Sequence, residues 1–217
     1  MLKRIHWKTF PKDFIIIQVG FALFGLSIAL MIRGNLGTGS WSVLDVALSQ
    51  ITGWTPGTLT VLVGFTVLVI AMLLHEQVGW GTLGNILSIG PWEDLFLWMI
   101  PSIETNLPLQ IGMLLAAVLT QGLASAIYIG VHAGAGPRDS LMLAVHRTTK
   151  LSLRLARGFI EAGVFLLGWA LGGPAGIGTA VIAVLIGPAV QWGFKIFKVD
   201  PHKAEADVRA DAKASAE

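Results

Sequence analysis

The chain contains no cysteine, which excludes disulfides, thiolate metal sites and thiol chemistry. Charge is scarce as well: Asp, Glu, Lys and Arg make up 13% of the 217 residues, where soluble domains carry about a quarter. Catalytic groupings are missing too. The five histidines, at positions 6, 75, 132, 146 and 202, show no metal-ligand spacing. No phosphate loop, nucleophile motif or HExxH sequence occurs. The residues therefore ask for no enzyme, no metal and no cofactor.

What fills the chain instead is apolar: 54% of it is hydrophobic, and its mean hydropathy is +0.72. Crossing the hydrocarbon core of a bilayer takes about 20 apolar residues. Runs of that kind occupy Phe14–Ile32, Thr58–Leu74 and Leu109–Val131, with Phe159–Leu171 and Ile177–Phe197 completed by their flanks. An all-α polytopic membrane protein is expected, in contact with the lipid bilayer. The first run follows Lys3, Arg4, Lys8 and Lys12. It is too long for a signal-peptide core and no small-x-small cleavage site follows it, so it is read as a retained span. Residues 1–13 form a basic interfacial stretch, and 199–217 an alanine-rich, charge-mixed tail with no apolar stripe, expected to be disordered. The pI near 9.1 reflects basic flanks that serve topology and contact with anionic lipid, not nucleic acid.

Shifting the sequence against itself by 97 residues brings rare residues into register. Gly37-x-Gly39 falls on Gly134-x-Gly136, Gly79-x-Gly81-Thr82 on Gly176-x-Gly178-Thr179, and Ile89-Gly90-Pro91 on Ile186-Gly187-Pro188. Shared leucines would mean little in so apolar a chain, but ordered Gly, Pro and Thr matches at one offset point to a duplication. The two membrane repeats are read as 14–101 and 107–198. Each has a long helix, a Gly-x-Gly turn with a short helix, a second span, and a helix interrupted by Gly-Pro. The short helices, Ser40–Thr52 and Asp139–Thr149, are too brief to cross and are expected to be re-entrant or interfacial.

Six transmembrane helices follow, three per repeat. An odd number per repeat inverts one half relative to the other. With both termini in the cytoplasm, 14 of the 15 Lys and Arg residues lie inside and only Arg33 lies outside, as the positive-inside rule asks. Eight spans, with the short helices crossing, keep most of those charges inside too; helix length favours six.

A short helix that starts in a glycine turn aims unpaired N–H groups at whatever lies before it. Broken segments of this kind build midplane sites in inverted-repeat transporters. Gly37, Gly39, Gly134 and Gly136 are therefore candidate site-shaping residues, although glycines equally serve close helix packing. Ionisable residues at membrane depth are costly and usually have a partner or a task. That singles out Arg138, Asp139, Glu161, Asp94, Asp45 and Arg33 as candidate substrate-binding residues. Competing structural roles are an N-cap for Asp139 in "PRDS" and an i,i+4 pair between Arg157 and Glu161.

At these turns the sequence resembles the YczE family of bacterial integral membrane proteins, in the style of the YitT group. "GAGPRDSL" (134–141) matches the family's G-x-G-P-x-D-x-L turn. "GWGTLGNILSIGPWEDLF" and "GIGTAVIAVLIGP" match its later part, and "GFIEAGVFLLGWALGG" is similar to its second-half helix. The resemblance spans roughly residues 15–197. The first turn departs: in "GTGSWSVL", Ser40 and Ser42 stand where the family's Pro and Asp would, so a paired-aspartate symmetry is lost. The resemblance implies a bacterial cytoplasmic membrane location and the fold, but no substrate.

The expectation is a small transporter or permease, with an unknown small solute bound between two inverted repeats. Two other readings compete: a non-transporting partner or scaffold of another membrane complex, and a substrate-binding subunit of an uptake system. A homodimer is compatible with so small a chain.

Overall fold

The computed structural model describes residues 10–76, 79–131, 133, 134 and 136–199. The basic residues Lys3, Arg4 and Lys8, His132, and all of the tail beyond Val199 lie outside the described residues. Among those described there are eight α-helices and no strand. They are α1 (Phe10–Gly34), α2 (Ser40–Thr52), α3 (Pro56–Leu73), α4 (Trp80–Met99), α5 (Leu107–Gly130), α6 (Pro137–Thr149), α7 (Leu153–Ala170) and α8 (Ile177–Phe197). Each helix from α5 onward starts 97 residues after its counterpart: Phe10 to Leu107, Ser40 to Pro137, Pro56 to Leu153, and Trp80 to Ile177.

Local chemistry sets these starts. The Thr55 and Ser152 side chains accept from the Thr58 and Leu155 N–H groups and cap α3 and α7. Pro56, Pro108 and Pro137 occupy first-turn positions, where the missing N–H costs nothing. The left-handed Gly53 ends α2. Two expectations change. α6 begins at Pro137, not Asp139, with Gly136 as its N-cap residue. Nor do the Gly-Pro pairs interrupt α4 and α8, which run through Pro91 and Pro188. An internal proline removes one backbone hydrogen bond, and the remaining bonds carry both helices past it.

Four helices, α1, α3, α5 and α8, are long and apolar enough to cross a bilayer. α7 carries Arg154, Arg157 and Glu161 within its 18 residues, and glycine, proline and two acids dilute α4. Outward-facing apolar side chains are plentiful: Trp98 and Ile177 each expose 83% of their surface, and Leu73, Val184 and Phe159 are also exposed. Water would not tolerate so much apolar surface, and lipid requires it. The chain is an integral membrane protein.

Inside, α1 and α5 form a central antiparallel pair. Ideal Cβ atoms at Gly20 and Gly34 would meet Ile127 and Met113 respectively, and the Ser27 hydroxyl donates to the Ala117 carbonyl at 2.8 Å. α4 packs beside α1 and α8 beside α5. One apolar cluster joins Ile17, Phe21, Ile28, Ile89 and Tyr128; a second joins Met31, Leu114, Val118, Ile182 and Ala189. The remaining helices cross between halves: α2 packs on α7, and α6 on α3.

The turns cross in the same way. Gly37, at φ +112°, lies against the start of α8, where an added Cβ would sit 2.6 Å from Thr179 Oγ1. Gly134, at φ +127°, lies against the start of α4, where an added Cβ would sit 2.8 Å from the Gly79 Cα. The Gly178 N–H donates to the Leu36 carbonyl at 2.7 Å, and the Gly81 N–H to the Ala133 carbonyl at 3.0 Å. Each Gly-x-Gly turn is thus seated on the Gly-x-Gly-Thr helix start of the other half. A side chain at these contacts would hold the backbones apart, which accounts for the first glycine of each turn and for both glycines of each helix start.

Candidate functional site

A cavity of about 370 Å³ lies between the α4–α1–α5–α8 row and the crossed helices, with all eight contributing to its wall. The first turns of the two short helices bring polar groups into it. Ser40, Trp41 and Ser42 open α2, and Pro137, Arg138 and Asp139 open α6. Neither N-cap position, Gly39 or Gly136, carries a side-chain cap. The positive ends of two helix dipoles therefore reach the same cavity without an intervening capping group. Glycine at these positions is not a backbone requirement, since φ is −65° at Gly39 and −61° at Gly136. Nor is it a packing requirement at Gly39, where an added Cβ meets nothing within 4 Å. What glycine leaves there is room.

Charged and aromatic groups are linked across the cavity. Arg138 stacks over the Trp41 ring, its Cζ 4.8 Å from the centroid. Arg138 Nη2 lies 3.7 Å from Asp45 Oδ2. The Trp41 indole N–H donates to Glu161 Oε1 at 3.3 Å. The Tyr128 hydroxyl donates to Asp139 Oδ2 at 3.0 Å. Gln121 and Asn85 add neutral polar groups to the lining. Among the described residues no cluster of three His, Asp or Glu side chains is placed to hold a metal ion.

Of the residues singled out from sequence, Arg138, Asp139, Glu161, Gly39 and Gly136 meet at this cavity. Asp139 is the third residue of α6 rather than its cap, so its carboxylate is free to accept from Tyr128. Glu161 pairs with Trp41, and the i,i+4 ion pair with Arg157 does not form, although Arg157 also lines the cavity. Asp45 is wholly buried behind the lining, held by Thr60 and faced by Arg138.

Four others lie elsewhere. Gly37 and Gly134 shape the turns from behind, against α8 and α4. Arg33 donates to the Leu97 carbonyl and ties the end of α1 to the last turn of α4. Asp94 clamps the start of α3, accepting from the Thr55 hydroxyl at 2.5 Å and the Gly57 N–H at 2.9 Å.

Sequence reasoning left out Thr60, Trp41 and Tyr128, and placed Asp94 rather than Glu93 among the candidates. The buried acid is Glu93, with no exposed surface, and its oxygen Oε2 lies 2.8 Å from the Thr60 hydroxyl oxygen. One signal was available for Tyr128: it is the chain's only tyrosine, set within an apolar helix where its hydroxyl needs a partner.

A family model described as a family of unknown function (DUF6198) matches residues 11–195. The chain belongs to this family. An uncharacterized protein of Haemophilus influenzae is 32% identical over 199 residues, covering 90% of this chain and 89% of that one. The uncharacterized membrane protein YczE of Bacillus subtilis is 30% identical over 172 residues, covering 77% and 79% respectively. The uncharacterized protein YyaS of the same organism is 28% identical, covering 78% and 86%. No solved structure matches the chain. The YczE-like resemblance seen in the glycine turns therefore extends over most of this DUF6198 member. At the first turn Ser42 lines the cavity, and among the described residues the acids in the lining are Asp139 of α6 and Glu161 of α7.

Proposed function

We propose that the protein is a small-solute transporter of the bacterial cytoplasmic membrane, with its solute site in the cavity between two inverted repeats. The observation that carries this reading is the meeting of the first turns of α2 and α6, one from each half, at one polar cavity in an otherwise apolar chain. A scaffold has no need of such a space. Transporters built from inverted repeats place their sites between broken helices at the repeat interface.

In this reading α1, α3, α4, α5, α7 and α8 span the membrane, α2 and α6 do not, and both termini are cytoplasmic. Three features support it. The constant spacing of the helix starts supports a duplication. The antiparallel packing of α1 on α5 supports inversion, because two first helices of parallel repeats would run the same way. The basic residues concentrate on one side in this topology. The lining of Arg138 and Arg157 with Asp139 and Glu161 suits a small polar solute that carries charge.

The test is uptake by proteoliposomes holding the full chain, screened with a panel of radiolabelled amino acids, carboxylates and amines. The wild type is expected to accumulate one class, and the Arg138→Ala/Asp139→Ala double variant to lose it. Uptake unaffected by the double variant, or no uptake across the panel by folded protein, would overturn the reading.

A further inference from the structure

Among the described residues two carboxyl groups have no exposed surface, Asp45 on α2 and Glu93 on α4. Both reach one hydroxyl. Thr60 Oγ1 lies 3.0 Å from Asp45 Oδ2 and 2.8 Å from Glu93 Oε2. A hydroxyl has a single hydrogen and donates to only one of the two. The second contact is a hydrogen bond only if that carboxyl carries a hydrogen and donates it to Oγ1. With both acids ionised, two oxygens would face each other without a hydrogen between them, in a buried place where unmade hydrogen bonds are costly. The outer oxygens, Asp45 Oδ1 and Glu93 Oε1, are buried as well and have no partner.

Counting charge gives the same answer. The groups facing the pair from the surrounding helices supply one cation, Arg138 of α6. Asp94, next to Glu93 on α4, is an acid occupied by Thr55 and Gly57. Arg33 of α1 is engaged by the Leu97 carbonyl. On α7, Glu161 is held by Trp41, and Arg157 lies in the cavity lining. Asp139 of α6 is held by Tyr128. Two buried acids against one cation leave one charge uncompensated, and buried charge without a partner is among the most expensive features a fold can hold.

We propose that Asp45, Thr60 and Glu93 form a proton-binding site in the wall of the cavity. The loaded site holds one proton in a chain of two hydrogen bonds. The Glu93 carboxylic O–H donates to Thr60 Oγ1, and the Thr60 O–H donates to Asp45 Oδ2, the oxygen that Arg138 faces. Moving the proton to Asp45 takes two concerted transfers, the Glu93 hydrogen to Thr60 Oγ1 and the Thr60 hydrogen to Asp45 Oδ2, which leaves a hydroxyl that donates to the Glu93 carboxylate and no heavy atom displaced. Thr60 also lines the cavity, which gives the proton a route to water; unloading leaves both acids ionised and delivers one proton there. Coupling of this proton to solute movement rests on the transport reading above, but the binding of the proton does not.

Infrared difference spectroscopy on the purified full chain in lipid, titrated across neutral pH in water and deuterium oxide, tests the site with the proton itself as probe. The carbonyl band of a buried carboxylic acid is expected at neutral pH, with a deuterium shift. Glu93→Gln should remove it, Thr60→Ala should move it without removing it, and Asp94→Asn should leave it unchanged. If Glu93→Gln fails to fold, the Thr60→Ala displacement decides. A spectrum without such a band, a band that Thr60→Ala leaves in place, or one that sodium abolishes at constant pH would overturn the proposal. No solute enters the measurement, so its failure is separate from failure of the uptake assay.

Discussion

Arg138, in the first turn of α6, stands 3.7 Å from Asp45 on α2, so the short helix of one half faces its counter-charge in the short helix of the other. The Asp45 side chain is buried and that of Arg138 is 31% exposed. The two therefore contribute unequally: losing the arginine strands a buried acid, whereas losing the acid leaves a cation that water can reach.

That asymmetry sets a double-mutant cycle. Arg138→Gln is expected to destabilise the protein more than Asp45→Asn, and the double variant less than the sum of the two. Residues in direct contact usually show a coupling of about 1 kcal/mol, which thermal unfolding in detergent can resolve. Additive effects would mean that the pair is a proximity without energetic content.

The four turn glycines separate into two kinds. Gly37→Ala and Gly134→Ala put a side chain on a left-handed backbone, against a neighbouring helix start, and should each cost about 2 kcal/mol or more. Gly39→Ala adds a methyl group to open space at ordinary φ, so stability should stay within about 0.5 kcal/mol. Its expected effect is reduced solute uptake, because it fills the cavity. Equal stability losses at positions 37 and 39 would contradict this division.

Asp94 should behave as a clamp. Asp94→Ala removes the acceptor for Thr55 and for the Gly57 N–H, and loss of a helix-start acceptor typically costs about 1 kcal/mol. Uptake per folded molecule should be unchanged. A selective loss of uptake at full stability would place Asp94 in the solute path instead.

Topology can be read directly because the chain has no cysteine. Ser42 and Ser140 are buried, so they are poor labelling sites. Thr52 and Thr149 end the two short helices and are exposed. Single cysteines there, treated with a membrane-impermeant maleimide, should react differently: Thr52→Cys in intact cells, Thr149→Cys only once the cells are opened. Reaction of both from outside would mean that the two halves share an orientation.

How much of this was legible from the sequence depends on the distance over which each feature is decided. Glycine, proline and capping residues act within a few residues of themselves, so the short helices and the 97-residue spacing could be read before any packing was known. The second short helix was misplaced by two residues because its aspartate resembled a cap, and the preceding Pro137 already suits a first turn. Burial acts across the whole chain. Asp94 and Glu93 are neighbours in an apolar run, and one residue along a helix turns the side chain by about 100°. That rotation points Glu93 to Thr60 and Asp94 to the start of α3. No local pattern distinguishes the two, because both partners lie more than 30 positions away. The sequence by itself determined an all-helical membrane protein with two short helices that start at glycine turns, since apolar length and glycine position are local properties. Only the tertiary structure decided which acid is buried, which glycines pack and which leave room, because each depends on what helices distant in the sequence bring against it.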